Sequence, residues 1–368
     1  MGMNRLRFAL VFLLVASGIG ATASPWGAGD NPPSPPKHRF SSRVTVTRAP
    51  FYGWKAIILR NRAAEVIVVP AIGRVMQFNL LDDKGNAIPG PFWNNPEIGG
   101  QLHADSEGWT NYGGDKAWPA PQSEWPKVAG RAWPPPQGFD AVSFTASIDG
   151  SRVELLSPVD PSYGVRVHRT IALDPERPVM TIETSYQKVQ GRPVRVGIWI
   201  ITQLASPERA FILLPTHSAL AAGYTNLLPS LPKDLTIDGR LLSLARDPVN
   251  RTMIGSDGSA LLWVGHGPSP DLLVETESKT ESKTESKTKS KTKTVSAAGP
   301  NAEWPEQGSH SKIYTNSGEA LKYVEFELLA QLRGLSRGET ASATSVYRLI
   351  PRTQSDPLAE AKKAFKRP

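Results

Sequence analysis

The chain has 368 residues, with 33 prolines, 31 glycines, ten tryptophans, no cysteine and a formal charge of +8. Without cysteine it has neither a disulfide framework nor a thiolate site, so its fold must rest on an apolar core. Part of the charge is local: residues 277–293 repeat Glu-Ser-Lys-Thr and drift into Lys-Ser-Lys-Thr, contributing three glutamates and six lysines. With the repeat and residues 1–23 set aside, 34 basic side chains face 31 acidic ones, a balance that argues against nucleic acid as a partner.

In chain order, Arg5 and Arg7 precede the apolar run 8–15 and then Ala21-Thr22-Ala23. These are the charged, apolar and A-x-A parts of a secretory signal, with a cut expected after Ala23 and a periplasmic or secreted mature protein. Residues 1–23 carry two arginines and no acid, so cleavage lowers the formal charge from +8 to +6. The apolar run is shorter than the roughly 20 residues that span a bilayer, so no membrane span is expected after cleavage. Residues 24–36 hold five prolines and read as a linker.

Short β-rich runs follow at 43–48, 54–61, 65–69 and 74–81, separated by turn residues. Residues 141–148 and 152–156 flank Asp149-Gly150, a hairpin signal. Further runs lie at 165–173, 179–189, 194–204, 210–214, 260–264, 322–332 and 340–349, and helical periodicity is clear only at 356–366. The spacing predicts one large all-β domain over residues 37–351, an antiparallel sandwich interrupted by a solvated insertion at 275–296 and followed by a helical tail at 352–368. A monomer is expected.

Five of the ten tryptophans (Trp93, Trp109, Trp118, Trp125, Trp133) fall between positions 93 and 133. Residues 111–136 interleave three of them with prolines at 119, 121, 126 and 134–136. Proline removes backbone donors and fixes φ, so this segment is expected to be a long loop, neither helix nor central strand. Aromatic faces interspersed with Asp115, Lys116 and Gln122 suit a sugar ring, with its apolar C–H faces and rim of hydroxyls. The alternative is that the tryptophans plug the open end of a β structure.

The run from Trp54 through Pro70-Ala-Ile-Gly-Arg74 resembles the opening of galactose-mutarotase-like (aldose 1-epimerase-like) proteins. Ile313-Tyr-Thr-Asn316, Tyr323-Val-Glu-Phe-Glu-Leu328 and Leu335-Ser-Arg-Gly-Glu339 resemble the end of the same fold. Gly113-Gly-Asp-Lys-Ala-Trp-Pro-Ala-Pro-Gln122 with Trp133-Pro-Pro-Pro136 is similar to the DUF4380 family. The resemblance implies a large antiparallel β-supersandwich whose concave face binds a saccharide, in relatives often with anomer interconversion by a histidine acid and a glutamate base. This chain departs from that pattern. The His-Pro-Tyr-Phe motif carrying the acid is absent, and the comparable strand offers Gln203, which has no titratable proton.

Glu325 and Glu327 alternate with Val324, Phe326 and Leu328 and so share a strand face with Tyr323. They face either solvent or the cleft, and the resemblance points to the cleft, with Glu325 as base. His310 precedes the closing strands and is the histidine placed at the site mouth, the alternative being a polar loop residue. By resemblance Arg74 reaches the cleft, where its fork could hold two hydroxyls or a carboxylate. The candidate site is thus Glu325 and His310 as catalytic groups, with Arg74, Asp115, Lys116, Trp118, Gln122, Trp133 and Gln203 as substrate contacts. No metal is expected, because His38, His103, His217 and His266 lack paired spacing, and no phosphate-binding or cofactor motif is present. Two functions stay open: an exported sugar-active enzyme or binder, and a non-catalytic envelope protein that holds a glycan polymer or protein partner through its aromatic face and Lys-rich loop.

Overall fold

A computed structural model describes residues 44–95, 97–103, 108–140, 142–276 and 303–366. The segments expected to be a signal and a linker, and most of the expected insertion, lie outside them. The strands, in chain order, are β1 (Thr45–Phe51), β2 (Trp54–Arg60), β3 (Ala64–Val69), β4 (Arg74–Leu81), β5 (Ala87–Ile88) and β6 (Asp115–Ala120). Next come β7 (Thr145–Asp149), β8 (Arg152–Val159), β9 (Val165–Leu173), β10 (Val179–Lys188), β11 (Val194–Ala205) and β12 (Arg209–Leu213). After them run β13 (Thr225–Asn226), β14 (Thr236–Asp238), β15 (Leu241–Leu244), β16 (Thr252–Ser256), β17 (Ala260–Val264) and β18 (Asp271–Thr276). The last four are β19 (Ser311–Thr315), β20 (Tyr323–Leu329), β21 (Arg333–Leu335) and β22 (Thr340–Ile350).

These strands form two large antiparallel sheets, so the chain is all-β with a short C-terminal helix. One has twelve strands in the order β1-β2-β3-β4-β6-β11-β20-β19-β16-β13, with β5 on β4 and β21 on β11. The other has ten, β14-β15-β12-β17-β18-β22-β10-β9-β8-β7. Strand β9 (Val-Arg-Val-His-Arg-Thr-Ile-Ala-Leu) shows why: every second residue is buried, the period-two pattern of a strand with one face on a core. Asp149 pairs with Arg152 across a two-residue turn in which Gly150 has φ +58°, a value that favours glycine.

The sheets are tied together at Asp115. Its side chain leaves β6 toward the second sheet, where the Arg169 guanidinium of β9 pairs with it and the Tyr347 hydroxyl of β22 donates to Oδ2 at 2.6 Å. Thr202 of β11 donates to the same oxygen at 2.7 Å, and Asp115, Arg169, Thr202 and Tyr347 are all buried. Three side chains thus supply this buried carboxylate with the donors that water would otherwise provide.

The segment expected to be a loop is partly a central strand. All six residues of β6 (Asp-Lys-Ala-Trp-Pro-Ala) are buried, and β6 pairs with β11 from Asp115↔Thr202 to Ala120↔Gly197. The proline rule is satisfied in an unexpected way: β4 pairs with β6 only at Val75↔Asp115, so the flank of Pro119 away from β11 has no ladder to lose. The Pro119 carbonyl accepts instead from the Trp125 indole at 2.8 Å. Residues Trp125–Ala129 are a short helix, with Pro126 in the first turn, where no backbone donor is needed, and Gly130 left-handed at its end.

Two boundaries also move. Glu275 and Thr276 belong to β18, paired with Val346 and Ser345 of β22, so the strand enters the range assigned to the insertion. Within the expected tail, the helix Pro357–Ala364 is docked: Ala361 and Ala364 pack with Phe211, Leu262 and Leu273, and the Asp356 carboxylate caps it by accepting from Ala359 N–H. No helix among the described residues is long and apolar enough to cross a membrane.

Candidate functional site

Strand register builds the site on the outer face of the twelve-stranded sheet, opposite Asp115. Residues paired across antiparallel strands share a face. One row runs Lys116, Ile201, Glu327, Lys312 across β6, β11, β20 and β19. The next row on one side is Gln203, Glu325, Tyr314. The row on the other side begins Trp118, Trp199, Leu329. A charged band therefore lies between an aromatic wall at Trp118 and Trp199 and a second one where Tyr323 packs on Trp93 at 4.9 Å.

Within the charged band the pairs differ in closeness. Lys312 Nζ is 2.7 Å from Glu327 and 4.0 Å from the Trp199 ring centre, and the Trp199 indole donates to the same carboxylate at 2.6 Å. Both side chains are almost fully buried. Burial pushes the Glu327 carboxyl above the usual range, an effect that Lys312 opposes and Glu325 reinforces. Lys116 is looser: its Nζ stands 3.7 Å from Glu325, 4.8 Å from the Trp118 ring centre, and makes no hydrogen bond among the described residues. Burial lowers its pKa against the attraction of Glu325. Gln203 donates to Glu325 at 2.8 Å, and burial with Glu325 nearby raises the Tyr314 phenol to about 12.

The aromatic wall is a cluster centred on Trp118, whose ring meets those of Trp109, Trp125, Trp133 and Trp199 at 5.6 to 6.3 Å. Asp140 fixes it by accepting from the Trp118 and Trp109 indoles, each at 3.0 Å, while pairing with Arg74. Trp118 is 5 % exposed and Trp125 fully buried, whereas Trp133 is 46 % exposed. Only Trp133 of this group offers a broad face to solvent.

Of the residues singled out by sequence, Lys116, Gln203, Glu325 and Trp118 meet on one surface, with Trp133 at its rim. Arg74 is not free to bind: it is buried, with its guanidinium on Asp140 and the Gly113 carbonyl. Asp115 faces the inter-sheet core. Gln122 sits in the turn after β6, its backbone N–H donating to Glu306 at 3.4 Å. His310, just before β19, extends the Trp118 row by one strand: its carbonyl accepts from Leu329 N–H, and it lies two residues before Lys312. It stacks on Trp304 at 3.6 Å, and burial lowers its pKa. Register thus places it a row from Glu327 and two from Glu325.

Sequence reasoning missed Lys312, Trp199, Tyr314 and Asp140. The first and third alternate in β19 opposite Glu327 and Glu325, a signal readable once that run is taken as a strand. A separate hollow of about 420 Å³ lies on the second sheet, lined by Arg177, Thr181, Glu275 and Arg348 among others. None of its lining atoms is buried without a partner, so it lacks the feature that marks the charged band.

No family profile matches the chain, and no curated protein matches it. Among solved structures, a TPR-domain containing protein from Parabacteroides distasonis aligns at 12% identity and TM-score 0.50, covering 82% of this chain and 48% of that one. This chain thus spans about half the length of that protein. A galactose mutarotase-like protein from Lactobacillus casei aligns at 7% identity and TM-score 0.49, over 80% of this chain and 99% of that one. A galactose mutarotase related enzyme from Lactobacillus acidophilus gives 8%, 0.48, 81% and 98%. At such identities a likeness is one of fold.

Proposed function

We propose that this chain is an exported saccharide-binding protein whose site is the charged band on the outer face of the twelve-stranded sheet. One observation carries the reading. Lys116 Nζ, Gln203 Oε1 and Glu327 Oε1 are buried, lie on two adjacent rows and have no hydrogen-bond partner among the described residues. Buried polar atoms without partners are uncommon, and a donor beside two acceptors matches what sugar hydroxyls need. Trp133 supplies an exposed ring at the rim for a C–H face. The DUF4380-like and mutarotase-like motifs agree with this assignment, and the signal-like N-terminus agrees with export.

The loss of the histidine acid favours binding over anomer interconversion. Calorimetric titration of the mature protein with a panel of neutral hexoses, uronates and oligosaccharides tests the reading. Saturable heat with at least one of them is expected, weakened in Gln203→Ala. No heat with any member of the panel would count against a saccharide site and leave the aromatic face to a protein partner.

A further inference from the structure

Two lysines are buried on the same sheet face and are chemically unlike. Lys312 is a satisfied ammonium, held by Glu327 at 2.7 Å. Lys116 is 2 % exposed, stands beyond hydrogen-bond distance of Glu325 at 3.7 Å, and has no acceptor for any of the three protons an ammonium carries. A neutral amine has no charge to compensate, loses far less by leaving its two N–H bonds unpaired, and keeps a free lone pair.

We propose that Lys116 is a nucleophile that captures the open-chain aldehyde of a reducing sugar as an imine, with Glu325 moving the protons. The proposal rests on the saccharide site argued above. The Nζ lone pair attacks the aldehyde carbon while the C=O π pair moves to oxygen, and the nitrogen proton passes through Glu325 to give a carbinolamine. Glu325 then moves the second nitrogen proton to the departing hydroxyl, water leaves, and the nitrogen pair closes the C=N bond. Amine and aldehyde give imine and water, with no oxidant or reductant required. The charged groups around Nζ are Arg74 of β4, Glu325 and Glu327 of β20, and Asp140. Burial and Arg74 favour the free amine, and the three carboxylates oppose them.

Glycolaldehyde with cyanoborohydride at neutral pH traps any such imine as a secondary amine, mapped lysine by lysine by peptide mass spectrometry on the intact protein. Lys127, whose side chain is 79% exposed, reports simple accessibility, and buried Lys312 reports burial without activation. Labelling of Lys116 at least about tenfold faster than Lys127, with Lys312 unlabelled, is the expected result. Labelling of Lys116 no faster than Lys127 would overturn the proposal. Glu325→Gln is expected to slow labelling of Lys116 about tenfold and leave Lys127 as it was, and an unchanged rate would remove Glu325 from proton transfer. Saccharide heat in calorimetry without preferential labelling overturns the imine alone, whereas absence of both overturns the imine and the saccharide site together.

Discussion

Trp118 and Trp133 share one aromatic cluster and differ in what they can give a ligand. Trp118 touches four other indoles and commits its N–H to Asp140, so it is a core residue that happens to border the site. Trp133→Ala is therefore expected to weaken saccharide binding by about 1–3 kcal/mol, with thermal unfolding nearly unchanged. Trp118→Ala is expected to cost about 3–5 kcal/mol of stability in denaturant titration, as large-to-small core changes do. The opposite pattern would mean that the cluster is arranged around Trp133 instead. Single residues were unevenly legible in the sequence. The shared face of Glu325 and Glu327 followed from period-two alternation, and the register sets them beside Tyr314 and Lys312. The commitment of Arg74 to Asp140 could not be read, because it joins residues 66 positions apart through a fold that local pattern does not encode.

At the scale of elements, β6 and the C-terminal helix are the informative cases. Prolines masked β6 because only one of its flanks needs backbone donors, a fact set by how far β4 runs beside it. Strands β15, β16, β18 and β19 are four to six residues long and largely buried, so they lack the alternation that marked β9. The C-terminal helix was legible from its periodicity, but its docking on a buried acid pair was not. Asp271 of β18 is buried, accepts from Gly265 N–H at 3.2 Å, and leaves Oδ2 unpartnered among the described residues. Burial, aided by Glu360 of the helix and by Glu208, raises its carboxyl from 3.8 to about 7, against Gly265 N–H and Arg352. A raised folded-state pKa means that the native state holds the proton more tightly than the unfolded chain. The resulting stability is complete below pH 3.8 and is lost as pH rises through about 7. The thermal midpoint of the wild type should thus fall between pH 5 and pH 8 relative to Asp271→Asn, in which this dependence is absent. Parallel pH profiles for the two proteins would contradict the assignment.

For the whole molecule, the tie at Asp115 and the insertion make opposite demands on stability. Removing Asp115 leaves the Arg169 guanidinium buried without its carboxylate, so Asp115→Ala should cost about 3–5 kcal/mol, measured by denaturant unfolding. Deleting residues 277–293 and joining the ends with a short Gly-Ser link leaves every described β18–β22 pair, Asp271↔Ile350 to Thr276↔Ser345, in the chain. Loop length costs only about 0.6 kcal/mol per doubling, so the thermal midpoint should move by no more than a few degrees. A larger fall would show that the repeat packs on the domain. The all-β class was legible because a dozen alternating runs with turn signals admit few other folds, whereas the order of strands within the two sheets depends on long-range pairing.

The central claim is that the outer face of the twelve-stranded sheet holds a saccharide through Lys116, Gln203, Glu325 and Glu327. Calorimetric titration of the protein and its Glu325→Gln variant with the best saccharide of a panel tests it most directly. Saturable binding that falls about tenfold or more in the variant, with the thermal midpoint retained, is the predicted result. Equal affinity in both proteins would place the ligand elsewhere and contradict the account.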